Sequence, residues 1–205
     1  MREIINIQLG QCGNNVGYSF LEKIAEEHGI NADCLYTGTR DVQRERLNVF
    51  FNEIEDNLYS ARTVLVDLEP GTIDAIRGER LGKLYDCDNF KVGRGSAGNN
   101  WAAGYYTEGA DMVEDVLDAV RKQADLCDNV EGFQFMHATG GGTGSGLGSL
   151  LLGRIDEEYS SKMVQTFSIF PTLSASDVVV EPYNTMLTIN RLVEFAQLAH
   201  IVENK

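Results

Sequence analysis

The chain has 205 residues, 43% of them apolar and 23% charged, enough to bury one good core and to form one domain. A formal net charge of −14 with no cluster of Lys and Arg excludes a general nucleic-acid binder, which must neutralise phosphates with gathered cations. No apolar stretch approaches the roughly 18 to 20 residues of a membrane span, and the charged opening "MREIINIQLG" lacks the apolar segment of a signal peptide, so a cytoplasmic protein without membrane contact is expected.

In chain order, short β-branched runs alternate with amphipathic stretches. Strands are expected at "IINIQL", "TVLVDL", the short "FKV", "FQFMH", "MVQTFSIF" and "HIV", and helices over residues 15–27, 71–76, 146–158 and 183–198. This alternation predicts an α/β fold, a mainly parallel, Rossmann-like doubly wound sheet with helices on both faces. In such sheets a ligand sits outside the carboxyl ends of the strands. The unusual loops "GQCGNN", "EPGT", "ATGGGTGSG" and "PTLSASD" all follow strands, so all would face that edge. Residues 29–46 read as an irregular surface loop, and the closing "AHIVENK" as a last strand with no helix after it to cover it. Cys12, Cys34, Cys87 and Cys127 lie far apart, without a C-x-x-C pair or a His at ligand spacing, which argues against zinc and for reduced thiols. Nothing pairs His28, His137 or His200 with a nucleophile, so they are expected to satisfy local hydrogen bonds.

The densest signal is residues 140–148, six glycines in nine positions, running straight into an apolar helical stretch. Glycine costs conformational entropy on folding, so such a run implies positive φ angles or the close approach of something bulky. Glycine-rich turns at helix N-termini bind phosphates through backbone N–H groups and the helix dipole. With no Lys or Arg in the run it fails the G-x-x-x-x-G-K-[ST] pattern, leaving amides, the hydroxyls of Thr143 and Ser145, and a metal to hold an anion. Tight packing alone is expected to explain one or two of these glycines, not six.

Two acids after another strand can serve a metal. Asp67 and Glu69 follow "TVLV" and can reach magnesium directly or through water; alternatively Glu69, before Pro70, caps the next helix. Asp177 and Glu181 flank "VVV" and can accept from ribose hydroxyls. A second glycine pattern, "GRGSAG" at Gly93 to Gly98, is a literal G-x-G-x-x-G with Glu114 and Asp115 at about the distance of a ribose contact. It suggests a dinucleotide enzyme. Against that, the strand before it is short and the helix is expected only after "NNWAAGY", so the loop reads better as further amides, with Asn99 and Asn100 as side-chain donors, for the same phosphate cluster.

With these loops assembled, the sequence resembles tubulin. "GGGTGSG", which alone would also admit the bacterial division GTPase, is joined by "MREI", "GQCGN", "VLVDLEPGTID", "AGNNWA", "YYTEGA" and "VVVEPYN" in tubulin order across all 205 residues. "RKQADLCDNVEGFQ" is similar to the β type, while "IQLGQCGN" and "LVEFAQ" are as similar to the γ type. The resemblance implies GTP or GDP with Mg2+. It implies Gln11 and Cys12 under the phosphates and near the base, Glu69 serving the magnesium, and Asn99, Gly142, Thr143 and Gly144 at the terminal phosphates. Asp177 and Glu181 would reach the ribose and Asn204 the guanine. It further implies head-to-tail assembly with other tubulin subunits in the microtubule cytoskeleton, with hydrolysis completed by an acid of the neighbouring subunit.

Three departures qualify the resemblance. Ala138 stands where the family usually has Ser, the loss of a hydroxyl donor worth about 1 kcal/mol. Asn15 follows Asn14 where a Gln is common. The sequence also stops where tubulins begin their long central helix, so the expectation is a GTP-binding domain over residues 1–205 without that helix or the intermediate and C-terminal domains. Two alternatives follow: a non-polymerising module that caps or sequesters tubulin, and a dinucleotide enzyme built on Gly93 to Gly98.

Overall fold

The first strand, β1 (Glu3–Leu9), is buried along almost its whole length, as expected of a strand in the middle of a parallel sheet covered on both faces. It runs into α1 (Gly10–His28), followed by the short α2 (Asp41–Arg44), the strands β2 (Phe51–Glu55), β3 (Leu58–Ala61) and β4 (Thr63–Asp67), and α3 (Pro70–Gly78). Then come β5 (Phe90–Val92), α4 (Trp101–Tyr106), α5 (Glu108–Asp125), β6 (Val130–Ala138), α6 (Gly148–Glu158), β7 (Met163–Phe170), α7 (Glu181–Phe195) and β8 (Leu198–Glu203). This computed structural model describes residues 2–172 and 178–204.

Six strands form one sheet in the order β5-β4-β1-β6-β7-β8, and every pair in it is parallel. The expected α/β class is therefore the observed one. The chain lays β4 and β5 to one side of β1, then returns to lay β6, β7 and β8 on the other. The reversal between β1 and β6 is the topological switch point, where the loops leaving neighbouring strands diverge and open a crevice.

Two apolar layers clamp the sheet. On one face Ile5, Ile7 and Leu9 of β1 pack with Val116, Leu117 and Val120 of α5 and Leu151, Leu152 and Ile155 of α6. On the other, Leu65 of β4 packs with Leu21 and Ala25 of α1 and Ile73 and Ile76 of α3. Each fully buried aliphatic side chain stabilises the fold by about 1.5–3 kcal/mol, so these layers hold the strand ends rigidly in register. As the sequence suggested, β8 has little cover: Ile201 is 65% exposed. All four cysteines are free thiols. Among the described residues no helix is long and apolar enough to cross a membrane.

Element boundaries moved where glycine hid the signal. The first helix starts at Gly10, not at residue 15, because Gly10 at φ 69 turns the chain directly from strand into helix. A Cβ on Gly13 would strike the Met136 carbonyl of β6, so glycine is what lets α1 lie on the sheet. The last helix ends at Phe195, not at residue 198, freeing Leu198 to pair with Gln165. Within the stretch from residue 29 to 61, the antiparallel hairpin of β2 and β3, turning at Asn57 (φ 61), was not anticipated.

Candidate functional site

Loops from four strand ends meet at the switch point around a cavity of about 530 Å³. From β1 and α1 come Gly10, Gln11, Cys12 and Asn15; from β4 and α3 come Asp67, Glu69 and Thr72. The loop after β6 contributes Ala138 and residues 141–144, and the loop after β5 contributes Asn99. The lining holds two carboxylates and no Lys or Arg.

The glycine run forms the floor. None of its glycines has positive φ; what they permit is close approach by backbone. A Cβ on Gly142 would sit 2.6 Å from the Ala97 Cβ and 2.8 Å from the Asn100 nitrogen, and one on Gly144 2.9 Å from the Ala138 carbonyl. One on Gly146 would strike the Trp101 carbonyl. Packing thus accounts for at least three glycines, more than the one or two expected. Gly141 differs: nothing lies within 4 Å of where its Cβ would be, and it borders the cavity. Residues 143–147 make a π-helical turn into α6, and the first amides of a helix have no partner within it. Among the described residues, the N–H groups of Gly141, Gly142, Thr143 and Gly144 donate to no backbone acceptor. The result is a row of open donors at a helix N-terminus, a physical anion site. Ser145 does not add a hydroxyl to it, because its Oγ donates back to the carbonyl of Gly141 and lies 3.4 Å from that of Gly142.

The second glycine loop supports the first. It does not open a helix: α4 begins at Trp101, capped by the Asn100 side chain, which accepts from Ala102 N–H at 3.0 Å. Asn100 therefore serves α4, while Asn99 borders the cavity. Glu114 pairs with Arg121 at 4.0 Å and Arg154 at 3.9 Å on the outer surface, and Asp115 is exposed on α5. The dinucleotide arrangement is absent. Glu69 does not cap α3 with its side chain; it accepts from the Ser96 hydroxyl instead, tying this loop to the end of β4. Asn184 of α7 joins both glycine loops: its Nδ2 donates to the Asn99 carbonyl (2.7 Å) and the Gly140 carbonyl (2.8 Å), and its Oδ1 accepts from Trp101 N–H (3.0 Å).

Electrostatics sharpen the site. Asp67 is 4% exposed, and burial pushes its carboxyl up to about 6, the Glu69 and Leu68 amides opposing the shift. A positive charge arriving in the cavity would favour its ionised form and draw that value back down. Burial also pushes up the Cys12 thiol, so it borders the cavity as a neutral group. Beneath the floor, His137 is fully buried and held down at about 4 by desolvation. The Gly144 carbonyl, 2.8 Å from Nδ1, can only accept, so Nδ1 carries the proton and Nε2 accepts from the Ser168 hydroxyl at 2.8 Å. His137 is an anchor satisfied by local hydrogen bonds, as expected.

Of the residues singled out from the sequence, Gln11, Cys12, Glu69, Asn99, Gly142, Thr143 and Gly144 border this one cavity. Glu181 opens α7 behind the glycine run, within 3.1 Å of where a Cβ on Gly140 would lie, and lines a separate, mostly apolar cavity of about 400 Å³. Asn204 follows β8, its N–H bonded to the Phe170 carbonyl at 3.1 Å, further along the same edge of the sheet. Asp177 lies outside the described residues. Sequence reasoning missed Thr72 and the open Gly141, and it missed Asn184, whose "EPYN" motif was noted only for its acid.

A doubly wound parallel sheet with bare amides and two carboxylates at its switch point defines an α/β protein of the nucleotide-binding class. The chain matches the Tubulin/FtsZ family, GTPase domain, over residues 3–205. It is 52% identical over 204 residues to the Tubulin beta-2 chain of Emericella nidulans, 51% over 205 residues to the Tubulin beta-2 chain of Hypocrea virens, and 52% over 205 residues to the Tubulin beta-1 chain of Suillus bovinus. All of this chain is covered in each case, but only 45% or 46% of the relative, so the chain spans about half the length of the curated relatives it matches. It belongs to the Tubulin/FtsZ family.

Proposed function

We propose that the cavity holds the phosphates of GTP or GDP, and that the chain is the nucleotide-binding domain of a β-like tubulin working in the cytoplasm as part of a microtubule. The open N–H groups of residues 141–144 at the switch point of a chain matching a GTPase domain carry this reading. In it, Gly142, Thr143 and Gly144 bind the terminal phosphates with Asn99, and Gln11 and Cys12 lie beneath the phosphates and towards the base. Asp177 and Glu181 face the ribose and Asn204 the guanine.

The donor set also fits magnesium. Among the described residues no cluster of three or more His, Cys, Asp or Glu side chains is suited to a metal, and the described lining of the cavity offers the carboxylates of Asp67 and Glu69 beside the Thr72 and Thr143 hydroxyls. Magnesium is commonly held this way, by one or two carboxylates with phosphate oxygens and waters completing the shell. When bound it would neutralise phosphate charge that no lysine meets. Glu69 is its principal protein partner in this reading, and the Asp67 carboxylate supports it.

Assembly follows from the same site. A terminal phosphate gripped by the amide row orders the loops around it, and its loss releases them, a population shift that head-to-tail contacts with other tubulin subunits can sense. Hydrolysis is completed by a neighbouring subunit. Thermal unfolding with GTP, ATP or NAD in the presence of magnesium tests the ligand class, because ligand binding raises apparent stability by mass action. A rise with GTP alone is expected; equal rises with all three, or a rise only with NAD, would refute the assignment.

A further inference from the structure

We propose that Asn184 is a positioning residue that aims the amide row at the anion, a role that rests on the nucleotide site proposed above. It is 3% exposed and does not itself border the cavity, yet it is the one side chain among the described residues that hydrogen-bonds to both glycine loops. Three of the four hydrogen bonds its amide can make are spent on three different pieces of backbone: the Asn99 carbonyl, the Trp101 N–H and the Gly140 carbonyl.

Peptide geometry turns those bonds into an orientation. In a trans peptide the C=O of one residue and the N–H of the next point in opposite directions. Fixing the Gly140 carbonyl on Asn184 therefore directs the Gly141 N–H away from α7, and within the glycine run Gly141 is the residue whose Cβ position is open and which borders the cavity. On the other loop, Asn99 sits at φ 54, a conformation non-glycine residues adopt rarely and at a cost; the bond to its carbonyl helps hold it there, at the cavity's edge. Asn184 is itself fixed in the first turn of α7, its N–H bonded to the Val180 carbonyl at 3.2 Å and its own carbonyl accepting from the Thr188 hydroxyl at 2.8 Å. Through one uncharged side chain, α7 thus sets how the backbone at Asn99 and Gly140 is turned.

The test uses Asn184→Ala and Asn184→Asp. The aspartate is isosteric and keeps an acceptor for Trp101 N–H, but it sets an oxygen against two carbonyls; it serves as the reading if the alanine variant does not fold. Nucleotide affinity is measured by titration with fluorescent GTP, and hydrogen exchange is followed in the nucleotide-free protein. Loss of two orienting hydrogen bonds should weaken GTP binding by about tenfold or more. Exchange should quicken at the bonded amides that brace the two loops, Asn100, Trp101 and Gly146, while β1 and β6 stay as protected as in the wild type. An affinity within twofold of wild type, or faster exchange spread evenly through β1 and β6, would overturn the positioning role. Absence of GTP binding by the wild type would instead remove the nucleotide reading, and the exchange pattern would still decide whether Asn184 orders the two loops.

Discussion

The two glycine-rich loops at the carboxyl edge of the sheet use one residue type to opposite effect. In the loop after β5 the amides of both bounding glycines are committed, Gly93 N–H to the Asp67 carbonyl at 2.8 Å and Gly98 N–H to the Ser96 hydroxyl at 3.1 Å, Asn100 N–H bonds the Ala97 carbonyl at 2.9 Å, and of this loop Asn99 alone borders the cavity. In the loop after β6 the N–H groups of residues 141–144 stay open, and the carbonyls are the groups tied down, at Asn184, His137 and Ser145. Glycine in a pattern announces close approach. Whether the approach ends in packing or in a ligand depends on where the helix starts: directly after the glycines in one loop, after a separately capped turn in the other.

That contrast can be broken in several places. The largest effect should come from Gly146→Ala, which drives a methyl into the Trp101 carbonyl and wedges the two loops apart. Overpacking of this kind costs about 3 kcal/mol or more, read as a fall in the urea midpoint. Almost as large is the pH dependence of the anchor under the glycine floor. His137 titrates at about 4 in the folded chain against an ordinary 6.5, so between those values the unfolded chain holds a proton that the folded chain refuses. Stability is therefore lost as pH falls through this window, by roughly 3 kcal/mol, and His137→Gln should flatten the urea midpoint against pH there; an unchanged slope would remove His137 as its source.

Gly141→Ala separates ligand from packing. With open space at the Cβ position, folding stability should stay within about 0.5 kcal/mol of wild type, while GTP affinity falls about tenfold because the methyl intrudes on the phosphates. The smallest change belongs to the other loop. Gly98 at φ 53 also has open space around it, so Gly98→Ala should cost about 1 kcal/mol of backbone strain and leave GTP affinity within twofold. Equal affinity losses in the two variants would mean that both loops face the ligand.

Much of the fold could be read from the sequence because strand and helix periods differ and every parallel crossover needs a helix. The hairpin of β2 and β3 was passed over since its signal is short and its turn relies on Asn57 in a left-handed conformation, without a glycine to mark it. At the site, the acids and glycines were visible as residue types, but the use of each polar group was not. Ser145 looked like a ligand donor and proved to be committed to backbone, and Asn100, also expected as a donor, caps α4 with its Oδ1 and does not border the cavity. Asn184 escaped notice because its partners lie 44, 83 and 85 residues away, a distance at which only the folded sheet brings them together.

The central claim is that the open amides of residues 141–144 after β6, and not the committed Gly93 and Gly98 amides after β5, receive the phosphates. Amide NMR of the nitrogen-labelled protein titrated with magnesium GTP reads both loops at once. The account predicts that the Gly141, Gly142, Thr143 and Gly144 resonances move first and furthest, with Gly93 and Gly98 shifting little. Largest shifts at Gly93 to Gly98, with residues 141–144 unmoved, would contradict it.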